Sequence, residues 1–223
     1  MSDDEARAEP RARLTRDRLL RTATELADEG GIEALTMRRL ARALGVEAMS
    51  LYYYAANKDD ILGGIADLVV REIDLPATDG DWKAAIRASA ISAHQVLRRH
   101  PWACDLLRSG PRILPSRLRH IDALLARLGD ARLPAELTDL AYHALDSHIL
   151  GFTLWEAGYT IAFKGLPPDF AGAFLRDLSV EDFPHLADHV AYHLRPPSAT
   201  RRPEFEFMLD LILDGLELAR AGG

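Results

Sequence analysis

A single cysteine among 223 residues leaves no partner for an internal disulfide, which excludes a small cross-linked scaffold and fits a reducing, cytoplasmic setting. No apolar run approaches the roughly 18 residues of a membrane-spanning helix, and the acidic start MSDDEARAEP lacks the form of a signal peptide, so no membrane partner is expected. Neither a strand-like alternation of apolar and polar residues nor an internal repeat occurs. Chemistry has no foothold either. The chain carries no nucleophile elbow, phosphate loop, HExxH or paired-cysteine motif, and its scattered His, Asp and Ser residues do not make a triad. No catalytic residue, metal or cofactor is assigned, and an enzyme sharing the fold is only a rival reading.

What is present is a helical pattern with an uneven charge. An apolar content of 48% is enough for a real core. The net charge of −7 argues against a chain that is basic all over, but residues 7–58 hold 10 Lys and Arg against 7 Asp and Glu, which leaves 17 against 27 for the rest. A basic head on an acidic body is expected if only the head meets phosphate.

The stretch Thr36 to Lys58, TMRRLARALGVEAMSLYYYAANK, reads as two short helices joined by a tight turn. Met37, Leu40, Ala41 and Leu44 share one helical face while Arg38, Arg39 and Arg42 point elsewhere. Thr36 suits the N-cap, and Gly45 falls where a left-handed residue must end the first helix. Val46 and Leu51 then seat a second helix of about two turns, completing a helix-turn-helix. That helix shows Ala48, Met49, Ser50, Tyr52, Tyr53 and Tyr54, too small, hydroxylated and aromatic a set for an ordinary solvated face. Base edges and phosphates suit it better.

The run Leu35-Thr36, Leu40-Ala41, Leu44-Gly45-Val46, Leu51-Tyr52 and Lys58 ahead of Ile61-Leu62 resembles the DNA-binding domain of the TetR family of bacterial regulators, over about residues 14 to 75. Within the family it is most similar to the tetracycline-repressor branch, with Ala55-Ala56-Asn57-Lys58 at the turn after the recognition helix. The resemblance implies that Thr36, Tyr52 and Lys58 hold phosphates, that Arg38 reaches a base, and that Ala48, Met49, Ser50, Tyr53 and Tyr54 face the groove. It also implies a homodimer on a pseudo-palindromic operator, released by a small-molecule effector. Tetracycline-binding members carry two histidine handles, where this chain has Ile73 or Asp74 and then Leu106. A different, less polar effector is therefore expected.

In chain order, residues 1–10 read as a disordered arm, 11–57 as the helix-turn-helix domain, 58–75 as a connecting helix and 76–223 as a helical effector-binding and dimerisation domain. The fold class is all-α. Leu19, Ala23, Leu26 and Gly30 mark the inner face of a first helix closing before Gly30-Gly31. Arg11, Arg13 and Arg16 are either a solvated helix start or an arm toward phosphate. Asn57 and Asp60 start the fourth helix in the manner of a capping box, and Ile61, Ile65, Leu68, Val69 and Ile73 carry it toward Pro76. Gly63-Gly64 within it serve either close packing or flexing. Pro and Gly then punctuate helices near 81–99, 102–108, 115–128, 135–163, 169–178, 185–194 and 203–221.

Two body helices have unusual faces. Along 135–163, Ala141, Leu145, His148, Phe152, Trp155 and Tyr159 form a stripe beside the small residues Ala144, Gly151 and Gly158. The last helix has Phe205, Met208, Leu209, Ile212, Leu216 and Ala219 on one face, with Phe207, Leu211, Leu213 and Leu218 widening it. The expectation is a four-helix dimer bundle built from Ala144, Gly151, Gly158, Phe205, Leu209, Ile212 and Leu216. Trp102, Cys104, Tyr142, His143, His148, Phe152, Trp155 and Tyr159 are candidates for a largely apolar effector pocket. His185, His189 and His193 share a helix face at a spacing that pairs of metal ligands use, but a lone helix rarely closes such a site, and a polar helix face is the preferred reading. Cys104 near a helix start is either a reactive thiol or a buried one. A body that binds a protein partner, or only dimerises, is the alternative to a small-molecule sensor.

Overall fold

A computed structural model describes residues 13–109, 114–163, 182–193 and 203–222, and their regular structure is helical throughout. The expected arm at 1–10 and helix near 169–178 lie outside the described residues.

The head is built from α1 (Arg16–Ala34), α2 (Met37–Leu44) and α3 (Ala48–Leu51). Thr15 caps α1 by accepting Arg18 N–H at 3.2 Å. The helix path breaks at Gly30 and at Gly31, whose φ is +74°, so the regular helix ends where the sequence places its end. Thr36 caps α2 by accepting Arg39 N–H at 3.1 Å. Gly45 stops it in the left-handed region, and Val46 N–H returns to Ala41 O at 3.0 Å. The recognition helix α3 is shorter than the two turns expected, with 52–54 continuing as turns.

The connecting helix α4 (Lys58–Arg71) begins as a reciprocal cap. Asn57 accepts Asp60 N–H at 2.8 Å, and the Asp60 carboxylate accepts Ala56 N–H at 3.1 Å. It ends at Arg71, a turn earlier than the run toward Pro76 suggests. The body follows as α5 (Trp82–Arg99), α6 (Trp102–Ser109), α7 (Pro115–Asp130), α8 (Ala135–Phe163), α9 (Pro184–His193) and α10 (Glu204–Gly222).

One continuous apolar core runs from Leu19, Leu40, Leu51 and Ile65 in the head through Ile86, Leu97, Leu128 and Leu145 to Leu209 and Leu213. Each such side chain contributes about 1.5–3 kcal/mol by leaving water. Helix α4 packs on α1 at one end and on α5, α6 and α7 at the other, while α8 packs on α5, α7 and α10. The 72–81 connection is tied down by buried Arg127, which donates to Thr78 O at 3.2 Å and Gly80 O at 2.9 Å. A ladder of ion pairs fixes the rotation of α10. Lys83 meets Asp214 at 2.6 Å and Glu217 at 2.5 Å, and Arg87 meets Glu206 and Asp210, both at 2.7 Å.

Candidate nucleic-acid interface and body sites

The head presents one surface that a free-standing protein has no reason to build. Met49 is 73% exposed, Tyr53 90% and Tyr52 48%, a cluster of large apolar and aromatic side chains on a four-residue helix and its trailing turn. Leu51 points the other way into the core, fully buried beside buried Ala55. Ala48 and Tyr54 are half-buried and packed against the core, so the exposed face of this segment consists mainly of Met49, Tyr52 and Tyr53. Ser50 is half-buried and Thr36 exposed.

The cations of the head divide into two groups. Arg16 is a brace. It donates to Tyr54 O at 2.5 Å and forms a two-pronged pair with Asp60 at 3.0 and 3.2 Å, so it ties α1 to the end of the recognition segment and the start of α4. The arm reading of Arg16 gives way to this structural one. Arg39 pairs with Glu29 at 3.2 Å and Arg21 with Asp17 at 3.0 Å. Arg38 and Arg42 are exposed and Lys58 is half-buried, and none of the three makes a hydrogen bond or ion pair with the described residues. All three lie on the helices just before and just after the Met49–Tyr53 segment, with their positive charge uncommitted among the described residues.

The body candidates separate more sharply. Phe205, Leu209 and Leu216 are buried within the chain and Ile212 is half-buried, which corrects the expectation that this face meets a second copy. Phe205 instead stacks on His94 at 3.9 Å and on His148 at 4.6 Å between ring centroids. The outward side of α10 carries exposed Phe207, Met208, Leu211 and Leu218, so Met208, and exposed Ala219 with it, leave the Phe205 face on which the sequence places them. On α8, Ala144, Gly151 and Gly158 are exposed, and a Cβ built at Gly151 or Gly158 meets nothing within 4 Å.

Of the expected pocket residues, the structure brings His148 and Phe152 together, with ring centroids 5.7 Å apart, and sets Trp155 beside Phe152 at 5.5 Å. Trp155 is nonetheless half exposed. His143 faces solvent and lies 3.7 Å from Asp139, so it does not line a buried pocket. Trp102 is buried, with its indole N–H donated to Asp28 at 2.7 Å. Cys104 is fully buried, and burial followed by nearby Asp105 pushes its thiol up to about 11. That is the opposite of a reactive thiolate. The Tyr159 and His193 side chains lie outside the described residues, and among those described no group of three His, Cys, Asp or Glu is placed to hold a metal.

Buried polar groups that sequence reasoning missed are more telling. Thr153 donates its hydroxyl to Ile149 O at 2.7 Å, so toward His94, 2.9 Å away, it accepts and His94 Nδ1 is the donor. Burial first, then the positive charge of Arg98, lowers His94 to about 4. His120 on α7 is 5% exposed with Nδ1 lacking a partner among the described residues. Burial and then Arg117 lower it to about 4 against the pull of Asp146. Arg117 and Asp146 join α7 to α8 as an ion pair. No spacing rule marks the His94–Thr153 and Arg117–Asp146 pairs, because in each the two partners lie on different helices.

No helix of the described residues is long and apolar enough to cross a membrane. Residues 19–65 match the family described as bacterial regulatory proteins, tetR family, and residues 75–220 match the tetracyclin repressor-like C-terminal domain. The HTH-type transcriptional repressor DrrR1 of Streptomyces coeruleorubidus is 36% identical over 148 residues, covering 64% of this chain and 53% of that protein. The class C tetracycline repressor protein of Escherichia coli is 30% identical over 145 residues, covering 64% of this chain and 66% of its own. The matched stretch thus spans about half the length of DrrR1. Among solved structures, Streptomyces coelicolor ActR in complex with actinorhodin superposes with a TM-score of 0.76 at 28% identity, covering 95% of this chain and 100% of ActR. BioQ with its double-stranded DNA operator superposes at 0.63 and 25% identity, covering 92% and 99%. With both its head and its body matched, the chain belongs to the tetR family of bacterial regulatory proteins.

Proposed function

We propose that this chain is a homodimeric repressor that reads a pseudo-palindromic operator and lets it go when a small, largely apolar effector binds the body. The observation that carries the reading is the Met49, Tyr52 and Tyr53 face flanked by the uncommitted cations Arg38, Arg42 and Lys58. Aromatic and apolar side chains meet base edges and sugars, while the cations neutralise phosphate. ActR holding actinorhodin and BioQ holding its operator support the two halves of the proposal. The dimer uses the outward faces of α8 and α10, where Gly151 and Gly158 let a partner helix approach and Phe207, Met208, Leu211 and Leu218 await cover.

The test is an electrophoretic mobility shift with DNA from upstream of the chain's own reading frame, run across a salt series. Binding that weakens steeply with salt and is competed by that DNA far better than by unrelated DNA is expected. Equal binding to both would overturn the operator reading. Release by none of a broad library of apolar aromatic compounds would favour a body that binds a protein or only dimerises.

A further inference from the structure

Beside the continuous apolar core, two carboxylates tie α1 and α4 to the body, and each grips the first turn of a different body helix. Asp67, on the inner face of α4 and almost fully buried, accepts Ser116 N–H at 2.9 Å and Arg71 Nη2 at 2.6 Å. Leu114, the N-cap of α7, has no capping side chain, so Asp67 supplies that cap from another helix. Ser116 Oγ in turn accepts from Arg71 at 3.3 Å and Arg119 at 3.0 Å. At the far end of the joint, Asp28 on α1 accepts Trp102 Nε1–H and His100 Nδ1–H, both at 2.7 Å. Trp102 opens α6 and His100 immediately precedes it. Glu72, just past α4, holds Arg99 at 2.7 Å and lies 3.7 Å from the other His100 nitrogen.

We propose that Asp28 and Asp67 are positioning residues for DNA binding: they set the angle of the head by holding α1 to the start of α6 and α4 to the start of α7. This rests on the reading of the chain as an effector-released DNA binder, and it names the route. An effector that shifts α6 and α7 as a pair moves both grips, and with them the recognition segment. Hydrogen bonds to a carboxylate are short and directional, and here their partners Ser116, His100 and Trp102 are buried, so a displacement of either helix start is passed to the carboxylate that holds it. Burial would push Asp67 up, but the Ser116 N–H and the Arg71 guanidinium outweigh it and hold the carboxyl below its ordinary value, so the grip is charged at neutral pH.

The test reads the head angle directly, in the full-length dimer without DNA or effector. Nitroxides are placed at Tyr53→Cys and Glu136→Cys of one chain in a Cys104→Ala background, diluted with unlabelled chain, and the distance is measured by pulsed electron resonance. The parent chain gives one narrow distance. Asp67→Ala and Asp28→Ala broaden or shift it and weaken binding to the upstream DNA about tenfold. Asp67→Asn keeps the acceptor for Ser116 N–H and restores the narrow distance. Trp102→Phe keeps the ring, strands no buried charge, and reproduces a milder form of Asp28→Ala should that variant fold poorly. Leu124→Ala is the structural control, lowering the melting temperature while leaving the distance narrow. An unchanged distance in the Asp28 and Asp67 alanine variants, or equal broadening in Leu124→Ala, overturns the proposal. A parent chain that ignores the upstream DNA defeats the operator reading instead, and the distances still decide the positioning one.

Discussion

Arg38 and Arg16 lie close in the sequence and do opposite things. Arg16 has its guanidinium filled by Asp60 and the Tyr54 carbonyl, so Arg16→Ala should lower stability by about 1 kcal/mol. Arg38 has no such commitment, so Arg38→Ala should leave the urea midpoint unchanged, cost about 1–3 kcal/mol of operator affinity and relax preference at one base pair. Lys58→Ala should weaken all sequences alike and reduce the salt slope by about one. Titrations at several salt concentrations distinguish the three, and wild-type affinity in Arg38→Ala would remove it from the interface. The buried histidines act on stability through pH. His94 and His120 fall to about 4 in the folded chain, below an ordinary value of about 6.5 when unfolded. The unfolded state therefore takes up protons first as pH drops. The stability these neutral rings contribute is complete above about pH 6.5 and is lost toward pH 4, at up to roughly 1.4 kcal/mol per pH unit for each ring. Urea unfolding at pH 7.5, 6 and 5 should show a shallower acid loss in His120→Phe than in the parent. Identical slopes would mean that His120 is not held neutral.

At the scale of elements, the crossing of α1 and α4 is set by Gly64. A Cβ there would lie 2.5 Å from Leu20 Cδ2 and 3.0 Å from its Cδ1, so the buried Leu20 side chain would have to move to admit a methyl group. Gly64→Ala should therefore cost about 1–3 kcal/mol by overpacking, and Leu20→Ala in the same chain should return part of it. Additive losses in the double variant would show that the two sites do not touch. Close packing thus takes over from the flexing alternative at Gly64. Helix positions were legible from sequence because Pro, Gly and capping residues act locally. Thr36, Gly45, Asn57 and Pro115 each mark a boundary with their own side chain or backbone. The inner face of α10 was not legible, since Phe205 and Leu209 on one side and Phe207 and Leu211 on the other are equally apolar. What turns Phe205 inward is the ladder from Lys83 and Arg87, more than a hundred residues away. The Asp28 and Asp67 grips escaped for the same reason. A lone Asp in an amphipathic helix carries no sign of the donor it will meet.

Across the whole molecule, the faces that remain uncovered argue for a second copy. On α8 the exposed residues Leu140, Ala144, Gly151, Trp155 and Gly158 recur at helical spacing, and α10 adds Phe207, Met208, Leu211 and Leu218. A pair of such faces related by a two-fold axis closes into four helices and places two heads on one side. DNA then demands a particular spacing: recognition segments about 34–36 Å apart, one turn of the duplex. Linking two weak half-site contacts raises affinity by about 10²–10⁴-fold over either one alone, so dimerisation and operator binding should fail together. Gly151→Glu isolates this link. Its side chain would enter open space in a single chain, so the variant should keep its helical spectrum and its melting behaviour as an isolated subunit. In a dimer the same carboxylate would be forced against the partner helix in an apolar seam, a charge buried without a counter-ion. Sedimentation at micromolar concentration should therefore give a dimer for the parent and a folded monomer for Gly151→Glu, with operator affinity lower by about a hundredfold or more. Leu211→Glu on α10 should behave in the same way. A Gly151→Glu chain that stays dimeric and binds DNA normally would move the interface off α8, and a monomeric parent would end the two-fold reading altogether.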